Sequence, residues 1–129
     1  LRYEIPKYKE PLSFGGFAVD VLNPEDEWCS DTFVYIPNIK ENSLYVFDHK
    51  NKDYWTYTHD SFKPDGETTL TDPNGSYNQT YEAGLYGIVL GDRDKNLNRL
   101  AYYIAGSSTK LWSVNTKILK KRNSFFQAE

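Results

Sequence analysis

The 129-residue chain has no methionine, one cysteine and two histidines. That scarcity excludes several chemistries at once. A paired Cys-x-x-Cys site is impossible, and no His-x-x-x-His, Gly-x-Ser-x-Gly or phosphate-cradling glycine loop is present. Long apolar runs are missing too. The longest, such as Phe33-Val34-Tyr35-Ile36 and the stretch from Leu85 to Leu90, fall far short of the roughly 20 residues a membrane-crossing helix needs. Nor is there an excess of positive charge. Fifteen basic against 18 acidic side chains leave a net charge of −3, so no field draws the chain to nucleic acid or an anionic membrane.

Aromatic residues are plentiful instead: 11 Tyr, 7 Phe and 3 Trp, a composition that suits pleated sheet. Apolar runs bounded by turn residues recur along the chain, and no segment of ten or more residues carries a helical period. The predicted strands are Phe17 to Val21, Thr32 to Ile36, Ser43 to Asp48, Tyr54 to Thr58, Leu85 to Leu90, Leu100 to Ala105 and Lys110 to Asn115. Between them lie turn signals such as Asn23-Pro24, Glu41-Asn42, Lys50-Asn51-Lys52 and Asp94-Lys95-Asn96. The length suits one domain, and the fold class is all-β.

An internal repeat narrows the architecture. Phe17-Ala18-Val19-Asp20-Val21 aligns with Tyr86-Gly87-Ile88-Val89-Leu90, Val34-Tyr35-Ile36 with Tyr102-Tyr103-Ile104, and Leu44 to Asp48 with Leu111 to Asn115, at offsets of 69, 68 and 67. A repeated antiparallel meander of about four strands is the unit of a β-propeller blade. Phe33 to Ile36 and Leu44 to Phe47 are apolar at every position, so both faces of these strands need cover, as between stacked blades. Only Tyr54-Trp55-Thr56-Tyr57-Thr58 alternates, which suits a blade's outer edge. The chain thus reads as a partial propeller over residues 1–129, with a first blade at 14–59, a polar inter-blade loop at 60–82 and an incomplete second blade at 83–120. Two blades leave apolar sides bare. The sequence is therefore expected to be a middle portion of a longer protein that does not fold robustly alone, and residues 1–6 are expected to run extended.

Candidate sites are few. Cys29 fits a buried thiol, a reactive thiol or half of a disulfide with a partner elsewhere. Asn74-Gly75-Ser76 and Asn78-Gln79-Thr80 are glycosylation sequons inside the polar loop. His49 and His59 flank one strand at opposite ends, about 30 Å apart if it is straight, and read as turn histidines, not metal ligands. The run from Asp92 to Asn98 opens like a calcium loop, yet Leu97 stands where glycine is needed and Tyr103 where the closing carboxylate belongs, so a polar hairpin is the default. Lys117, Lys120, Lys121 and Arg122 read as a solvated basic connector, and Glu25, Asp26 and Glu27 lack the apolar cover that raises a pKa. The best place for a ligand is the channel lined by the first strand of each blade. Phe14-Gly15-Gly16-Phe17 and Ala83-Gly84-Leu85-Tyr86-Gly87 set aromatic and small residues at two such mouths, with plugging of the blade packing as the alternative role for Phe17 and Tyr86.

At these residues the chain resembles the yellow and major royal jelly protein family, in particular its salivary branch from blood-feeding sand flies. The resemblance is carried by residues 14–21, by Cys29 followed by Thr32 to Ile36, and by Tyr45 to Lys50 ending in Asp48-His49-Lys50. It continues through Gly91-Asp92-Arg93-Asp94, Ala101 to Ser107 and Ser113 to Lys117. It implies a six-bladed secreted propeller, monomeric when complete and about three times this length. The salivary branch further implies a non-enzymatic binder of biogenic amines (serotonin, catecholamines or histamine) without cofactor, metal or catalytic residues, and a disulfide from Cys29 to a cysteine upstream of residue 1. Other members of the family imply the alternatives: an enzyme of dopachrome-like chemistry, or a nutritional secreted protein. By blade pseudo-symmetry a channel Phe two residues before a Thr falls at Phe17 and Val19, and again at Tyr86 and Ile88. Both threonine equivalents are aliphatic here, so these blades are expected to supply hydrophobic wall, with the polar ligand groups in final blades outside this chain.

Overall fold

The computed structural model describes residues 12–76 and 78–122. The expectation for residues 1–6 lies outside them. Each predicted strand forms. A four-stranded antiparallel sheet holds β1 (Ala18–Val21), β2 (Thr32–Asn38), β3 (Ser43–Asp48) and β4 (Asp53–Thr58) in chain order. The second half of the chain builds a three-stranded meander from β7 (Leu85–Arg93), β8 (Arg99–Ala105) and β9 (Trp112–Asn115). A single helical turn, α1 (Thr116–Leu119), follows at once because the Asn115 side chain accepts from Lys117 N and caps it.

The connection between the meanders is more structured than its composition suggests. It begins with a 3-10 turn at Asp60–Phe62, capped by His59, which buries Ser61 and Phe62 completely or nearly so. It then runs out into a separate two-stranded hairpin, β5 (Thr68–Thr71) and β6 (Asn78–Tyr81). Polarity marked this segment as surface, which holds from Asp65 onward but not for Ser61 and Phe62. It concealed the hairpin because strands with neither face buried carry no hydrophobic alternation.

One continuous core lies between the meanders. Phe33, Tyr35, Leu44, Val46 and Tyr57 from the first sheet meet Leu85, Ile88, Ala101, Tyr103 and Val114 from the second, with Phe62 and Leu119 closing the sides. Phe62 sits edge-on to Tyr103, the ring centroids 5.2 Å apart. The joint is tied at three levels. At the first strands, Gly16 N donates to Tyr86 O at 3.1 Å. At the last strands, Trp55 Nε1 donates to Leu119 O at 3.0 Å and the Tyr57 hydroxyl lies against the Ile118 and Lys121 carbonyls. Between them, Arg93 donates to Val21 O and Arg99 Nε stands 3.1 Å from Asp20 Oδ1. First strands thus lie by first strands and last by last, as in consecutive blades.

Strand pairing corrects the repeat alignment. Val19 pairs with Val34, and its counterpart Ile88 pairs with Tyr103, so Val34 corresponds to Tyr103 at an offset of 69. Val34 then pairs with Phe47 and Tyr103 with Trp112, which makes the third offset 65. The sequence alignment slipped by one residue on the second strand and two on the third. Runs that are apolar on both faces do not reveal which face a residue takes. In the corrected register the two meanders stack front to back. Val89, Ile104 and Leu100 remain exposed on one outer side and Val19 on the other. A self-contained sandwich would cover such faces; consecutive blades leave them for their neighbours.

Candidate functional site

The mouth of the first strands is built on backbone contact. Gly15 N donates to Pro37 O and Gly16 N to Tyr86 O, each at 3.1 Å. A Cβ at Gly15 would lie 1.9 Å from Tyr86 O, so only glycine allows this approach. Gly15, expected to admit a ligand, instead admits the neighbouring strand, while Gly16 keeps open space around it. Around them stand Phe17, 66% exposed, and Tyr86, 54% exposed. Phe14 turns the other way and packs edge-on against Tyr45, 5.9 Å between centroids.

A bulge decides where the β7 side chains point. Pairing runs from Leu85–Ala105 to Gly87–Ile104, so Tyr86 is the extra residue on its strand. Its ring is thrown outward while Leu85 and Ile88, three apart, both turn into the core. The structure therefore separates the four residues grouped from sequence. Phe17 and Tyr86 share an exposed edge. Ile88, expected to line the same wall, is 5% exposed and belongs to the packing between meanders. Val19 is exposed on the outer side of β1, at the position equivalent to Ile88. Ile88 thus takes part in the packing between the meanders, while Phe17 and Tyr86 are exposed in the two-meander unit.

The remaining candidates fall elsewhere. Cys29 is exposed in the β1–β2 loop, with φ 48°, and its expected disulfide partner lies outside this chain. His59 Nδ1 accepts from Ser61 N at 3.1 Å and lies 2.8 Å from Ser61 Oγ, which meets the Tyr103 hydroxyl at 2.6 Å. His49 sits at the opposite end of β4, in the β3–β4 turn. Asp94 spends one carboxylate oxygen on the Asn96 and Asn98 amides, and Leu97 takes φ 62°, so the calcium-like run is a tight polar hairpin turn. Among the described residues no group of three or more His, Cys, Asp or Glu is placed to hold a metal. Asn74 occupies the turn of the β5–β6 hairpin and Asn78 opens β6, both exposed.

One buried group escaped sequence reading. Asp20 is fully buried in the joint, where the Tyr35 hydroxyl donates to Oδ2 at 3.3 Å and Arg99 stands over Oδ1. Burial first, and the adjacent carboxylate second, push the Tyr35 hydroxyl far above the ordinary tyrosine range. Asp20 breaks an otherwise apolar strand, Phe17-Ala18-Val19-Asp20-Val21, and that interruption was the available signal. Its role is structural.

Comparison with known proteins agrees with this architecture. The family model described as "Major royal jelly protein" matches residues 2–127. Among curated proteins, "Yellow-related salivary protein SP04" of Phlebotomus argentipes is 52% identical over 97% of this chain and 31% of its own length. ASP4 of Phlebotomus orientalis is 53% identical over 97% of this chain and 32% of its own. LJM111 of Lutzomyia longipalpis is 49% identical over 96% and 31%. The chain spans about a third of the relatives it matches, in keeping with two blades of a six-bladed ring. With nearly every residue covered and half of them identical to sand fly salivary proteins, this chain belongs to the major royal jelly protein family.

Proposed function

We propose that the protein is a secreted salivary binder that sequesters biogenic amines in the propeller channel and performs no chemical turnover. The relatives at about 50% identity are named salivary proteins, which supports secretion. The observation that carries the binding role is the exposed aromatic pair Phe17 and Tyr86, set on adjoining first strands by the Gly16–Tyr86 hydrogen bond. Aromatic faces pack on an indole or catechol ring and so supply the apolar wall of such a site. The strands behind them are paired in antiparallel sheets, which holds their backbones in place. Stoichiometric capture of serotonin, catecholamines or histamine would lower free amine at a bite and oppose vasoconstriction and platelet activation. The reading needs no cofactor and no catalytic residue.

Calorimetry of the full-length protein with serotonin, noradrenaline and histamine tests it. Micromolar or tighter binding of at least one amine is expected. Truncating Phe17 or Tyr86 to alanine should weaken it by about 2- to 13-fold, the range of one aromatic stacking contact. No binding at micromolar concentration, or conversion of a dopachrome-like substrate, would overturn the reading while leaving the fold untouched.

A further inference from the structure

The β5–β6 hairpin stands apart from both meanders. Seven of its eight strand residues are exposed, including Leu70 at 53% and Tyr81 at 39%. Its register divides the two sides cleanly. Thr69 opposes Thr80 and Thr71 opposes Asn78 on one side; Thr68 opposes Tyr81 and Leu70 opposes Gln79 on the other. The first side is wholly polar and carries Asn78 together with the hydroxyl of its own sequon, Thr80, two residues on and therefore on the same face. Thr69 Oγ1 and Thr80 Oγ1 meet across it at 3.1 Å.

Two further facts frame this side. The hairpin is anchored at its base through Ser107: its Oγ accepts from Ala83 N and Thr68 Oγ1, both at 2.9 Å, and donates to Tyr81 O at 3.3 Å. Among the described residues no third strand pairs with either edge of this two-stranded sheet. At the tip, the second sequon is folded into a turn. Gly75 N donates to Asp72 O at 2.7 Å, and the Ser76 hydroxyl is held by the Asp72 carboxylate, which that bond keeps below the usual carboxylate range.

We propose that the hairpin is a glycan-bearing arm, modified on its threonine face at Asn78. An oligosaccharide there displaces no packed side chain, covers a face that has no apolar partner, and lies beside the outer edge of β6. It acts as a bulky hydrophilic guard against strand pairing between molecules in a concentrated secretion. The proposal rests on secretion of the protein.

The test uses full-length protein secreted from insect cells. Chymotryptic cleavage after Tyr77 separates the two sequons, and enzymatic deglycosylation in heavy-oxygen water marks each formerly modified asparagine by its mass. An untreated control accounts for spontaneous deamidation at Asn74-Gly75. The mark is expected at Asn78, and the Asn78→Gln variant should lose the mass of one glycan and self-associate at lower concentration than the parent. Secreted protein with unmodified Asn78, whether or not Asn74 is occupied, overturns the proposal and leaves secretion standing. Absence of the protein from the medium overturns both.

Discussion

Removing the Asp20 carboxylate should loosen the joint between the meanders more than any other single polar change. Asp20 has no solvent exposure, and the Arg99 side chain facing it keeps 17%. Asp20→Ala leaves a guanidinium without its counter-charge and the Tyr35 hydroxyl without its acceptor. Breaking one side of a buried pair costs about 3–5 kcal/mol. Because Arg99 retains some water, the lower end applies here, about 3 kcal/mol, equivalent in a protein about three times this length to a fall of roughly 3–4 °C in melting temperature. Replacing both partners by apolar residues, Asp20→Leu with Arg99→Met, should restore much of that loss, since no uncompensated charge remains. Thermal melts of the full-length protein and the single and double variants, followed by near-ultraviolet circular dichroism, decide the matter. Asp20→Ala melting within about 1 °C of the parent, or a double variant whose loss is the plain sum of the singles, would refute the argument.

Three further outcomes follow from the same packing. Ser107→Ala deletes an acceptor used by Ala83 N and Thr68 Oγ1, so hydrogen exchange at the Ala83 amide should accelerate by about 5- to 150-fold, matching ~1–3 kcal/mol; unchanged exchange would remove Ser107 as the anchor. Burial raises the Tyr103 hydroxyl to about 12, partly offset by its bond to Ser61. The unfolded chain then ionises this tyrosine first, so stability should fall as pH climbs from about 10 to 12 and be insensitive to this group below that window. Alkaline unfolding followed by tyrosinate absorbance should be less steep in Tyr103→Phe, and an identical profile would count against the raised value. Gly15→Ala forces a methyl into Tyr86 O and should abolish secretion of soluble protein, whereas Gly16→Ala, with open space around it, should be tolerated; equal yields would show that the first strands do not meet as described.

Strand positions were legible because turn residues punctuate the chain where Asn23-Pro24, Glu41-Asn42 and Asp94-Lys95-Asn96 interrupt apolar runs. The repeat, and with it the stacking of two meanders, was legible because each unit must bury both of its faces against its neighbours. Register was not. Val34-Tyr35-Ile36 and Tyr102-Tyr103-Ile104 look alike in any frame, and only the pairing partners reveal that Val34 answers to Tyr103. Spacing of two residues placed Ile88 beside Tyr86 on one wall, as on a regular strand, when a bulge at Tyr86 sends the two side chains to opposite sides. Composition decides how much apolar surface this chain must hide and roughly where its strands run, because those depend on each residue and its near neighbours. Which side chain faces the core, why Gly15 tolerates no Cβ, and what Asp20 pairs with depend on residues up to 79 positions away brought within a few ångströms, and that is information local sequence does not carry.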